Sequence, residues 1–223
     1  MQYANASRSE GQGKIAQQRG EEASADYRFS RVEKVVVPNI TRLLDFFRKN
    51  KLRIVYITLG SEMPDYSDIP PDKRENFRMR ENTKGNRANE ILDEIKPLPG
   101  ECVINKLTSG AFNSSNIDFV LRAMGIKYIL FTGVSTSACV EGTFRDANDR
   151  GYHCLVAEDG CGDWTQERHD SGIRSFRKWG RVATTDDIIA ELAEALSAEA
   201  VSQSKLSPGL NSTGLTSARG GTK

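Results

Sequence analysis

Histidine is nearly missing from this 223-residue chain: His153 and His169 are the two present, and residues 61–100 hold none. One starts a strand-like run and the other sits in a helix-like stretch, so neither reads as a metal ligand, and we expect no metal and no cofactor. An excess of either charge is also missing. With 31 basic and 30 acidic residues, nothing global draws nucleic acid or an anionic membrane surface. No apolar run is long enough to span a bilayer, and the opening MQYANASRSEGQGK has no apolar core of a secretory signal. The four cysteines form no CxxC pair and no disulfide framework, which reads as a reducing, cytoplasmic compartment. No strand-like run is followed by GxGxxG, so nucleotide binding of that type is set aside. There is no internal repeat.

What is present is alternation of helix and strand. Pro38 is suited to open a helix, and Ile40, Leu43, Leu44 and Phe47 then recur at i, i+3, i+4, i+7. RIVYITLG (53–60) is a short β-branched run of the kind buried in parallel sheets. Residues 61–87 are polar and rich in Pro and Asp, an excursion suited to a lid or substrate loop. A short helix is expected near 87–95, then strand ECVINK (101–106), then a helix capped by Asn116 and ended by Gly125. Strand 128–134, helix 138–150, strand 153–158, a helix near 165–179, strand RVATT and an amphipathic helix from TTDDIIAELAEAL follow. This βαβ repetition implies a mostly parallel, Rossmann-like sheet with helices on both faces, in one domain over 1–200. Residues 201–223, rich in Ser, Gly and Thr, read as a disordered tail.

Ligands of open parallel sheets bind at the carboxyl ends of the strands. Cys139 falls just past such an end, after Ser135, Thr136, Ser137 and Ala138, and at a helix N-terminus. Free backbone N–H groups and the helix dipole there favour a thiolate, and small neighbours leave the sulfur open to a carbonyl carbon. Lys106 ends strand ECVINK at the same edge, where its ammonium would stabilise the thiolate. A buried structural cysteine and a solvated surface lysine are the ordinary alternatives; the pair is more specific than either member.

GVSTSACVEGTFRDA, with VVVPNITRLLDFFR, SGAFNSSNIDFVLRAMGI and VAEDGCG, resembles the isochorismatase-like cysteine hydrolases, from the first residues to about residue 196. That family includes nicotinamidases, N-carbamoyl amidohydrolases and ureidoacrylate-type amidases. The resemblance implies a three-layer α/β/α sandwich and an Asp–Lys–Cys triad in which Lys106 and Cys139 match two members. It also implies a cis peptide before Ser135, with the backbone N–H groups of Ser135 and Cys139 as an oxyanion hole. The substrate would be a small amide, imide or carbamoyl compound cleaved through a thioester, and the assembly a homo-oligomer, dimer or tetramer. The nicotinamidase-type metal site between the second and third strands has no histidines here, which favours a carbamoyl or ureido compound over nicotinamide.

One departure is expected to matter. The triad aspartate normally ends the first strand, in a context that would precede Met1, so the first strand is expected to be missing together with that acid. KIAQQRG (14–20) is too polar to replace it. This opens an alternative from another class: a catalytically dead member that binds a metabolite or serves as an oligomer subunit. Candidate substrate contacts are Gln2 and Tyr3, Phe112 as a pocket wall, and Asn113, Ser114 and Ser115 in the loop after Lys106, each of which could equally be turn chemistry or packing.

Overall fold

The computed structural model describes the backbone of residues 1–206 and the side chains of residues 1–198. Helices α1 (Tyr3–Ala6), α2 (Gly11–Arg19), α3 (Glu22–Arg31) and α4 (Val37–Lys49) precede the first strand, β1 (Val55–Leu59). Next come α5 (Arg74–Met79), β2 (Cys102–Lys106), α6 (Ile117–Ala123), β3 (Tyr128–Val134) and α7 (Glu141–Asp149). β4 (His153–Gly162), α8 (Gln166–Phe176), β5 (Arg181–Ala183) and α9 (Thr185–Leu206) complete the order. The chain divides into two compact units, Met1–Ile188 and Ile189–Lys223. Within the first, every strand pair is parallel: β1 with β2, β3 with β4, and β4 with β5.

Alternation along the strands separates two cores. On β1, Tyr56 points to a cluster with Val32, Val36, Ile40, Leu44, Leu92 and Ile95, on the side of α4. Its neighbours Val55 and Ile57 point the other way, toward Ile104, Leu121, Phe131, Phe144, Val156 and Phe176, on the side of α6, α7 and α8. Helices thus cover both faces, giving the expected three layers. Phe144 is the hub of the larger core, with ring centroids 5.7 Å from Phe131 and 4.8 Å from Phe176.

The sheet is in two pieces. β1–β2 and β3–β4–β5 are not joined by a ladder, and an apolar cavity of about 230 Å³ separates β1 from β3. Val55, Tyr56 and Ile57 line one side and Ile129 to Gly133 the other, with α4 residues and Met1. This gap lies in the middle of the sheet. β1 is accordingly only half-buried apart from Tyr56, not the fully buried strand its composition suggests.

Other differences have local causes. Pro38 stands in the first turn of α4, as expected, but that helix does not begin afresh: α3 and α4 run together through a widened turn, Val32–Val36, where the Val37 N–H reaches back five residues to Val32 O. That turn absorbs the bond that proline cannot make, and the Asn39 side chain donates to Val35 O at 3.0 Å. The helix expected at 87–95 is two single 3₁₀ turns, Arg87–Asn89 and Asp93–Ile95, because Ile91 between them bridges to Gln2. The last helix passes the expected boundary at residue 200 and continues to Leu206. The remainder of the expected tail, 207–223, lies outside the described residues.

Phe144, at 0% exposure, carries the first prediction. Phe144→Ala should lower unfolding free energy by about 3–5 kcal/mol, measured by urea titration; a loss below about 1 kcal/mol would contradict the packing described.

Candidate active site

The strand ends converge on one place. Parallel register sets Leu59 beside Lys106, and the carboxyl end of β3 leads directly to Cys139. A cavity of about 130 Å³ is lined by Leu59, Lys106, Val134 and Cys139, so the ends of both sheet pieces meet there. Lys106 is 4% exposed, and its Nζ donates to Thr108 O at 2.8 Å and to Ser109 O at 2.5 Å. Burial pushes its ammonium below the ordinary lysine range, while electrostatic and hydrogen-bonding interaction with Cys139 offsets part of that. The two residues that the sequence paired are therefore brought together, in a place where water is scarce.

The turn carrying Cys139 is built from its flanks. Gly133, at φ +120°, sits where the β3–β4 register shifts, a conformation closed to other residues. The Val134–Ser135 peptide is cis. Ser135 O then accepts from Ala138 N at 3.1 Å and Val140 N at 3.2 Å, and the wide turn Thr136–Val140 runs into α7. Asp163, 1% exposed, holds this turn: its Oδ2 accepts from Ser137 N at 2.7 Å and Ser137 Oγ at 2.8 Å, and its Oδ1 from Trp164 N at 2.7 Å.

His169 supports the turn from the other side. Its Nε2 faces Arg31 at 2.9 Å and its Nδ1 faces Thr136 Oγ1 at 2.9 Å. A guanidinium can only donate, so Nε2 accepts and Nδ1 carries the proton. Burial, then the charge of Arg31, pushes the imidazole down to about 4, against smaller opposing effects of Asp170 and Asp163. One turn along α8, Gly172 lets the helix approach: a Cβ there would lie 2.9 Å from Thr136 Cγ2. Neither Asp163 nor His169 was singled out for this role by sequence. Asp163 follows the VAEDGCG motif directly, and that adjacency was its one signal.

A second cavity, about 250 Å³, opens on the other side of the sulfur. Arg28, Phe77, Arg80 and Trp164 line it along with Cys139 and Ser135. Lys73, Asn76, Phe77 and Arg80 all come from the 61–87 excursion, which thus forms a wall of the site. Among the described residues no carboxylate side chain lines either cavity at Cys139.

Comparison with known proteins decides the lineage. The sequence profile of the Isochorismatase domain matches residues 29–187. The chain belongs to the isochorismatase family. It is 30% identical over 186 residues to the ureidoacrylate amidohydrolase RutB of Rhizobium rhizogenes, covering 75% of this chain and 74% of that protein. It is 32% identical over 149 residues to the secreted isochorismatase effector Isc1 of Verticillium dahliae, covering 67% and 70%. The crystal structure of N-carbamoylsarcosine amidase from Thermoplasma acidophilum superposes with TM-score 0.57 at 27% identity, covering 74% of this chain and 86% of that one.

The other candidate contacts of this isochorismatase-family chain lie elsewhere or are engaged. Gln2 lines the smaller cavity, but its amide donates to Leu59 O (3.1 Å) and Asn89 O (2.7 Å) and accepts from Leu59 N (2.8 Å). It completes the edge of β1 as a neighbouring strand would. Tyr3 is drawn away by Arg87, which stacks on its ring at 3.9 Å and donates to its hydroxyl at 2.6 Å. Phe112 packs in the core against Tyr152 and borders the gap in the sheet, not the Cys139 cavities. Asn113 donates to Asp146, Ser114 Oγ accepts from Leu107 N and Thr108 N, and Ser115 Oγ donates to Ala111 O. Those three are loop chemistry: their polar groups are satisfied within the segment or by α7, and none lines either cavity.

The histidine gives a signed pH prediction. Its folded value of about 4 lies below the ordinary 6.5, so between them the unfolded chain binds the extra proton. Stability from this group is complete above pH 6.5, declines as pH falls through that window, and is gone below about 4. His169→Gln, which does not titrate, should be less stable than the native chain at pH 7, with the gap narrowing by pH 4.5 in urea titrations. A gap that widens on acidification would reverse the assignment.

Proposed function

We propose that this chain is a cysteine hydrolase that cleaves a C–N bond in a small amide, imide or carbamoyl compound, with a ureido or carbamoyl group favoured. The observation that carries the reading is the shared cavity of Lys106 and Cys139 at the carboxyl edge of the sheet. Similarity to a ureidoacrylate amidohydrolase and to an N-carbamoylsarcosine amidase supports the bond type.

In this reading the Cys139 thiolate attacks the carbonyl carbon, and the N–H groups of Ser135 and Cys139 hold the oxygen as it gains negative charge. Lys106 stabilises the thiolate. Its ammonium, more acidic than an exposed lysine because it is buried, is also able to hand a proton to the leaving nitrogen. The C–N bond breaks, leaving a thioester on Cys139. Water adds to that thioester as the neutral Lys106 amine takes one of its protons, and the acid leaves with the thiolate and the ammonium both restored. The four cysteines are free thiols, which supports a reducing, cytoplasmic setting; among the described residues no helix is long and apolar enough to cross a membrane. A homo-oligomer completes the proposal.

A second reading has one observation in its favour: no carboxylate lines the cavities among the described residues. It makes the chain a metabolite-binding protein without turnover. Ammonia release from a panel of ureido acids and primary amides separates the two. Hydrolysis should be lost in Cys139→Ala, and undiminished release would end the cysteine mechanism; binding without release by the native chain selects the second reading. Lys106→Met should cut kcat by roughly 10²–10⁴-fold and slow iodoacetamide alkylation of Cys139 at pH 7, followed by mass spectrometry.

A further inference from the structure

One hydroxyl carries hydrogen bonds to both sides of the seam between the half-sheets. Thr143, 8% exposed, lies in the first turn of α7, the helix that follows β3. Its Oγ1 donates to Cys139 O at 2.7 Å and accepts from Ala111 N at 3.2 Å. Those directions are fixed, because the carbonyl can only accept and the backbone N–H can only donate. Ala111, at 0% exposure, belongs to the loop after β2, two residues past Ser109, whose carbonyl holds the Lys106 ammonium. Loop and helix meet where their backbones are bare: a Cβ on Gly142 would lie 3.7 Å from Gly110 Cα, and one on Gly110 would lie 2.7 Å from Asp146 Oδ2. Asn113 crosses to Asp146 on the exposed side of this contact, and Thr143 crosses on the buried side. Thr143 also lines both the seam cavity and the smaller cavity of Lys106 and Cys139. A helical threonine ordinarily bonds the carbonyl four residues back and nothing else. The bond from Ala111 goes beyond that, and losing it would strand a buried N–H.

We propose that Thr143 is a positioning residue: its hydroxyl ties the loop that seats Lys106 to the backbone of Cys139, and so sets the approach of ammonium to sulfur across a seam that no ladder closes. It acts through Lys106 and Cys139, not on the reacting bond. The effect on turnover rests on the hydrolase reading, while the effect on sulfur reactivity does not. A lysine stem is flexible, so its ammonium goes where its acceptors are. Those acceptors are Thr108 O and Ser109 O, and their place depends on how the loop lies against α7. In a poorly hydrated site the attraction between two charges is strong and steep in distance, so a small slip of the loop is felt at the sulfur.

The test is a double-mutant cycle read from the sulfur. Thr143→Val keeps the volume and removes both bonds, whereas Thr143→Ser keeps both. At pH 7 Thr143→Val should slow iodoacetamide alkylation of Cys139 roughly ten-fold, followed by mass spectrometry of the Cys139 peptide. Thr143→Ser should stay within about three-fold of the native rate. In a Lys106→Met background Thr143→Val should change the rate hardly at all, because the group it positions is gone. Two slowing factors that simply multiply would show that Thr143 acts apart from Lys106, and would overturn the proposal. Alkylation of Thr143→Val at the native rate would overturn it too. Should the valine variant not fold, Thr143→Ala removes the same bonds with a better helix former and runs the same cycle. On a ureido acid or primary amide that the native chain hydrolyses, Thr143→Val should lower kcat by roughly 10–10²-fold with KM little changed. A change confined to KM would make Thr143 a substrate contact instead and sink the positioning role. A native chain without turnover defeats the hydrolase reading, and the alkylation cycle then decides the positioning role on its own.

Discussion

The structure is organised around one electrostatic contact: a lysine ammonium taken out of water and set against a cysteine sulfur. Burial makes the ammonium unfavourable, and the sulfur is what returns part of that loss. Two backbone carbonyls, from Thr108 and Ser109, fix where the amine points. The loop after β2 is therefore the lysine's seat, and its serines and asparagine serve to hold that loop's shape.

The cysteine has its own seat, and it is polar. Asp163 grips Ser137 from one side, and the Arg31–His169–Thr136 chain grips the adjacent residue from the other. Gly172 lets α8 come close enough for this to happen. Buried polar groups with every partner in place specify one arrangement, whereas a greasy contact tolerates several. A reactive sulfur needs the first kind of support, because a shift of about 1 Å between reacting atoms is costly in rate.

That Cys139 and Lys106 share one edge of the sheet was legible in the sequence because position along a βαβ repeat is a one-dimensional property. A residue that ends a parallel strand sits at the ligand edge whatever the details. The long 61–87 excursion was legible as a wall of the site for a related reason: polar loops of that length need a task. Arg28 and Arg80 were not legible. They lie on α3 and beside α5, 52 positions apart, and nothing in ADYRFSR or NFRMRE distinguishes a buried guanidinium from a solvated one. Ser114 failed as a candidate because a hydroxyl has equal use for a substrate and for the two N–H groups at the start of its own loop. The continuity of α3 into α4 was hidden by Pro38, because the widened turn before it took over the bonding that its ring forbids.

The division of the sheet has a consequence for Lys106 and Cys139. Lys106 stands on the two-stranded piece and Cys139 follows from the three-stranded one. No ladder fixes their spacing, as it would for residues on adjoining strands. That spacing belongs to the seam, at whose rim the Gln2 amide bonds β1 through Leu59. In the proposed mechanism, reactivity would be geared to how firmly two half-sheets are clasped.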